Sequence, residues 1–97
     1  MLEKMQRIYE QIAEIGKKYG VQKIILFGSR ARGDNYDKSD IDLAIYGCEA
    51  FAAFQEEIEE KVWTLIKFDL IDMNISARAE ELVREIERDG IVLYEKV

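Results

Sequence analysis

Val21-Gln22-Lys23-Ile24-Ile25-Leu26-Phe27-Gly28-Ser29-Arg30-Ala31-Arg32-Gly33, and after the polar link 34–39, Asp40-Ile41-Asp42-Leu43-Ala44-Ile45-Tyr46, is the stretch that decides the fold. The first part carries a short apolar run that stops at glycine, the pattern of a buried strand. Residues 29–39 are polar and read as a turn or short helix plus a loop. Residues 40–46 alternate acidic and apolar at first and then run apolar, which reads as a second strand.

Outward from this pair the elements fall in order. Leu2, Met5, Ile8, Tyr9, Ile12, Ile15 and Tyr19 recur at spacings of three and four, so residues 2–19 predict an amphipathic helix, stopped at Gly20. Gly16 weakens its last turn slightly. Residues 50–62 put Phe51, Phe54, Ile58 and Val62 on one helical stripe, with Glu56, Glu57, Glu59 and Glu60 mostly off it. A third strand is expected over 67–73. Ser76 suits an N-cap for a helix to about Arg88, with Ala79, Leu82, Val83 and Ile86 inward. Gly90 stops that helix, and Ile91-Val92-Leu93-Tyr94 forms a last strand. The order α-β-β-α-β-α-β predicts an α/β fold, a single domain over residues 1–97 with helices packed against a mixed sheet.

The acidic strand carries the chemistry. Asp40 and Asp42 are two apart, so both carboxylates point to one face, with Cα atoms roughly 6.5 Å apart. Ile41 and Leu43 fill the opposite face, which makes the strand part of the core. Two anions that close repel, and each loses hydration as the sheet is covered. A divalent cation compensates directly, since Mg²⁺ takes one or two carboxylates together with substrate phosphates. Two such ions about 3.5–4 Å apart could be bridged by this pair. A third carboxylate is available on the next strand. Asp69 shares a face with Ile71 and Met73, and Asp72 with Phe68 and Leu70. Periodicity does not choose between them. A calcium loop beginning at Asp40 fails, because its fifth position would be Ala44.

The glycine turn precedes the acids. Gly28 lets a backbone or a phosphate approach closely. Ser29 brings a hydroxyl and a backbone N–H to the start of a helical turn, where anions are favoured. Arg30 and Arg32 add positive charge. The spacing of Gly28 and Gly33 is that of a P-loop, but Asp34 and Asn35 stand where Lys and Ser/Thr are required, so that reading fails. The Arg32-Gly33-Asp34 adhesion tripeptide and the Asn74-Ile75-Ser76 sequon are taken as chance in a chain without a secretion signal.

Composition excludes several chemistries. The 97 residues contain no His, so no imidazole serves as base or ligand, and a Ser-His-Asp triad is ruled out. A single cysteine, Cys48, excludes an internal disulfide and a multi-cysteine zinc site. The net charge of −6 opposes non-specific binding to nucleic acid, and no direct nucleic-acid binding is expected. Neither a signal peptide nor a run of about 18 apolar residues is found, so no membrane contact is expected and the expected compartment is the cytoplasm.

Gly28-Ser29, then Ser39-Asp40-Ile41-Asp42-Leu43, then Asp69 on a later strand, is similar to the nucleotidyltransferase superfamily typified by DNA polymerase beta. The full run of glycine turn and acidic strand most resembles the minimal nucleotidyltransferase (MNT) proteins, which consist of the palm-like catalytic domain alone. The family's Lys-x-Asp-Leu strand pattern matches Lys67-Phe68-Asp69-Leu70, which favours Asp69 over Asp72. The resemblance implies Asp40, Asp42 and Asp69 as catalytic residues and metal ligands, for two Mg²⁺ ions. It implies Gly28, Ser29 and Arg30 at the nucleotide, with ATP as donor. A hydroxyl would displace pyrophosphate from the α-phosphorus.

MNT proteins resemble antitoxins paired with helical HEPN-domain ribonuclease toxins, in which AMP passes to a tyrosine hydroxyl of the toxin. The expected partner is therefore a HEPN-domain toxin, in a hetero-oligomer or with self-association. The acidic helix with Glu56, Glu57, Glu59 and Glu60 could face such a basic partner. Two alternatives remain open at this stage. One is a neutralising binding module without catalysis. The other is a nucleotidyltransferase acting on a small hydroxyl compound.

Overall fold

The expected amphipathic stripe closes the first layer. In the computed structural model, which describes residues 2–75 and 80–97, α1 runs Leu2–Lys18 and buries Ile8, Ile12 and Ile15. Gly20, in a left-handed conformation with φ 68°, turns the chain out of the helix. The chain then enters strand β1 (Lys23–Phe27), the short helix α2 (Ser29–Arg32), strand β2 (Ile41–Tyr46) and helix α3 (Phe51–Lys61). Strand β3 (Phe68–Asp72), helix α4 (Glu80–Asp89) and strand β4 (Ile91–Glu95) complete it. The side chain of Leu2, the expected cap at Ser76 and the expected core position Ala79 lie outside the described residues.

The strands form one sheet in the order β3-β2-β1-β4. Strand β1 pairs antiparallel with both β2 and β4, and β2 pairs parallel with β3 through the α3 crossover. The sheet is therefore mixed, as the element order predicts.

Alternation along the strands sorts the side chains into two layers. Ile24, Leu26, Ile41, Leu43 and Ile45 face α1 and α3, where they pack with Ile12, Phe54 and Ile58. Fully burying one such aliphatic side chain contributes about 1.5–3 kcal/mol, so this layer supplies most of the cohesion. Phe27 and Ala44 face the other way and meet Ile86 of α4, with Ile25, Ile71 and Leu82 around them. Val83, expected inward, is only half-buried.

The second layer is the smaller, and the acids stand at its margin. Asp42 precedes Ala44 on the α4 face of β2, and Asp69 precedes Ile71 on the same face of β3. Apolar cover by α4 reaches Ala44 and Ile71, and the next row of the sheet is carboxylate. Among the described residues no helix is long and apolar enough to cross a membrane.

Candidate active site

Register fixes how the site is assembled. Phe27 at the end of β1 is the partner of Asp42 on β2. The chain leaves the sheet one residue later, at Gly28, so the turn swings directly against Asp42. Gly28 has φ 77°, a conformation L side chains rarely adopt, and a Cβ there would collide with the Asp42 carboxylate. Only glycine allows the turn and the acid to be so close. Gly28 is also the N-cap residue of α2 and brings no side chain to bond its first N–H groups. Ser29 is the first residue of that helix.

The parallel pairing of β2 with β3 sets Asp69 directly beside Asp42. Asp72 pairs with Ile45 and so belongs to the opposite face; it accepts a hydrogen bond from the Asn74 backbone N–H at 3.0 Å. Sequence periodicity cannot decide between the two aspartates, because it is register that carries the choice. Asp40 sits at the mouth of β2, where the Ile41 N–H donates to the Lys67 carbonyl at 2.9 Å.

The three acids differ in hydration. Asp42 is half-buried, whereas Asp40 and Asp69 are exposed. Burial first, and then the neighbouring carboxylates of Asp69, Asp40 and Glu85, push the Asp42 carboxyl up from 3.8 to about 6, against the opposing pull of Arg32. The expectation that the sheet strips water from each acid thus holds for Asp42 alone. Strand β3 is an edge of the sheet, so mid-strand Asp69 keeps its solvent.

Two of the charges expected to meet a ligand or a partner also make bonds within the fold. The Arg30 Nε and Nη2 donate to the carbonyls of Ser39 and Asp37 at 3.0 and 2.9 Å. This clamps the loop that leads into Asp40 and gives Arg30, expected at the nucleotide, a positioning part in the fold. Its acceptors are backbone carbonyls of a loop, and no side-chain pattern in the sequence announces them. Glu57 accepts from Lys18 Nζ at 2.8 Å and from the Tyr19 hydroxyl at 2.7 Å, tying α3 to α1. It is therefore not free for a basic partner. Arg32 bridges Asp34 and Glu85 at 3.2 and 3.3 Å and joins α2 to α4. Glu85 was not legible as a site neighbour, because α4 reaches Asp42 only through tertiary packing.

Among the described residues no group of three acid, cysteine or histidine side chains converges into a ready-made metal site. The donor set still suits a hard cation. Asp42 and Asp69 are adjacent oxygen donors whose mutual repulsion a cation would relieve. Mg²⁺ needs only one or two protein carboxylates when water and phosphate complete its shell. A cleft of about 510 Å³ is lined by Asp40, Lys67 and Asp69 among others. A separate cleft of about 950 Å³ lies against Met5, Tyr9 and Ile91.

The polymerase beta nucleotidyltransferase family matches residues 10–97, which include the Gly28 turn and all three aspartates. The chain belongs to this family. A Methanocaldococcus jannaschii protein whose name assigns it as a protein adenylyltransferase is 35% identical over 98 residues, spanning 90% of this chain and 94% of its own. A chain of a toxin–antitoxin complex solved with AMP-PNP superposes with a TM-score of 0.69 at 21% identity, over 91% of this chain and 73% of that one. A chain from the complex of a tri-AMPylated Shewanella oneidensis HEPN toxin with an MNT antitoxin gives 0.65 at 19%, over 94% and 72%. At those identities the likeness establishes the nucleotidyltransferase fold: one small α/β unit with a four-stranded mixed sheet.

Proposed function

We propose that this nucleotidyltransferase moves AMP from ATP onto a hydroxyl of a partner protein, a tyrosine of a HEPN-domain toxin, and acts as its antitoxin. The observation that carries the reading is the Asp42–Asp69 pair, in register on β2 and β3 beneath the Gly28 turn. The relative named for protein adenylyltransferase activity and the fold shared with toxin–antitoxin chains support the donor and the acceptor class. On this proposal the reaction occurs in the cytoplasm without direct contact to nucleic acid.

Each residue has a part in this chemistry. Asp40, Asp42 and Asp69 would hold two Mg²⁺ ions. When bound, these ions supply the positive charge that neutralises the triphosphate and stabilises charge developing at the α-phosphorus. Gly28 opens space for the outer phosphates, and the Ser29 N–H and hydroxyl donate to their oxygens. Asp69, exposed at the sheet edge, accepts the proton of the attacking hydroxyl. The acceptor oxygen bonds to the α-phosphorus, the bond from that phosphorus to the bridging oxygen breaks, and pyrophosphate leaves with the electron pair. Arg30 holds the 37–39 loop and with it the position of Asp40.

The direct test is incubation with ATP labelled at the α-phosphate, Mg²⁺ and a HEPN-domain toxin, followed by intact mass of the toxin. One or more AMP units on the toxin, lost with Asp40→Asn, is the expected result. Inhibition of the toxin without added mass would instead establish neutralisation by binding alone.

A further inference from the structure

The link between α3 and β3 holds the most exposed apolar side chains near the acids. Trp63 is 87% and Leu65 100% exposed, while Val62 just before them is 2% exposed. Ile66, just after, packs against the core. The link thus alternates, with 62 and 66 anchored inward and 63 and 65 held outward. It is also fixed by hydrogen bonds. The Trp63 indole N–H donates to the Glu60 carbonyl at 3.2 Å, and the Ile66 N–H donates to the Thr64 hydroxyl at 3.1 Å. Two large apolar groups are therefore presented to solvent from a pinned backbone, the arrangement of anchor residues at protein interfaces.

These anchors are continuous with the site. The cleft of about 510 Å³ that contains Asp40 and Asp69 also contains Glu59, Val62 and Thr64. The same three residues line a second cleft of about 520 Å³, whose other walls are Glu60, Trp63 and Leu65. Together they form one groove running from the acids to the apolar pair. Its charged residues are Asp40, Glu59, Glu60 and Asp69 against the single cation Lys67. Magnesium-bound ATP remains anionic, so nucleotide loading does not reverse this sign.

We propose that this groove is the docking surface for the acceptor. It takes a protein segment in which cationic and apolar side chains surround the acceptor hydroxyl, with the apolar ones seated on Trp63 and Leu65 and the cationic ones on Glu59 and Glu60. The proposal rests on the AMP-transfer reading above and adds to it the surface and the chemistry by which the acceptor is chosen.

Two synthetic tyrosine peptides serve as probes, one with lysines and leucines around the tyrosine and the other with glutamates and serines. Each is incubated with the full chain, labelled ATP and Mg²⁺. The basic, apolar peptide should be labelled at least about ten-fold faster. A Trp63→Ala/Leu65→Ala double variant should raise KM for that peptide about ten-fold or more and leave KM for ATP unchanged. Glu59→Gln/Glu60→Gln should reduce the preference and its sensitivity to salt. Equal labelling of the two peptides, an unaltered peptide KM in the double variant, or a rise in KM for ATP instead, would each overturn the docking assignment while the transfer activity stands. If the unmodified chain labels neither peptide nor a HEPN-domain toxin, the activity itself fails and the docking surface with it. The double variant changes only exposed side chains, so circular dichroism should show an unaltered fold.

Discussion

Asp42→Asn should make the metal-free protein more stable and the enzyme inactive. The Asp42 carboxyl is raised from 3.8 to about 6 in the folded chain. For an acid raised on folding, the folded state holds its proton more tightly than the unfolded state. Stability then falls as pH rises from about 3.8 to about 6, and the full penalty persists above that window. A gap of this size corresponds to about 3 kcal/mol if no solvent screened it. Asp42 is only half-buried, so screening reduces the penalty to about 1–1.5 kcal/mol. Asparagine has nearly the same shape and no charge, and removes that penalty. In a domain of this size each kcal/mol moves Tm by roughly 4–8 °C, so the variant should melt about 5–10 °C higher at pH 7.5 with a chelator present. At pH 4 the parent's Asp42 is itself mostly protonated, and the difference should nearly vanish. Saturating Mg²⁺ should raise the parent's Tm and leave the variant's much less changed. Thermal unfolding followed by circular dichroism at both pH values reads all of this, and AMP transfer by the same samples should drop by at least about a thousand-fold. A variant that melts below the parent at pH 7.5, or a gap of the same size at pH 4, would refute the electrostatic account of this strand.

Three further outcomes are expected. Gly28→Ala forces a side chain into a positive-φ turn and against the Asp42 carboxylate, so urea titration should show a loss of about 2–4 kcal/mol. Asp69→Asn should abolish transfer and Asp72→Asn should preserve it, because only Asp69 is the neighbour of Asp42; the reverse pattern in a labelled-ATP assay would assign the third acid to the other residue. Arg30→Ala removes donors to the Ser39 and Asp37 carbonyls and should cost about 1–3 kcal/mol. Amide exchange should then speed up over residues 36–40, with transfer slowed through misplacement of Asp40.

The layers of this protein are written in its sequence because they depend on neighbours along the chain. Stripes at three and four residues make α1 and α3, alternation makes β1 and β2, and a Cβ-free residue at position 28 marks the sharp exit from the sheet. Alternation along β2 likewise puts Asp42 on the face opposite Ile41 and Leu43 without reference to any other element. What lies across the sheet is different. Whether Asp69 or Asp72 stands beside Asp42 depends on a parallel register set by how α3 seats on the core, and a shift of one residue would have turned β3 over. The hydration of the acids depends on edge position and on how far α4 reaches, so one half-buried carboxylate stands among solvated ones. Arg30, expected at the nucleotide, and Glu57, expected on a partner-facing helix, are bonded by carbonyls and side chains that only folding brings near. Local periodicity determined the elements and the face of Asp42. Long-range pairing, which no short window of sequence contains, decided which acids meet, which keep their water and which charges remain for a partner.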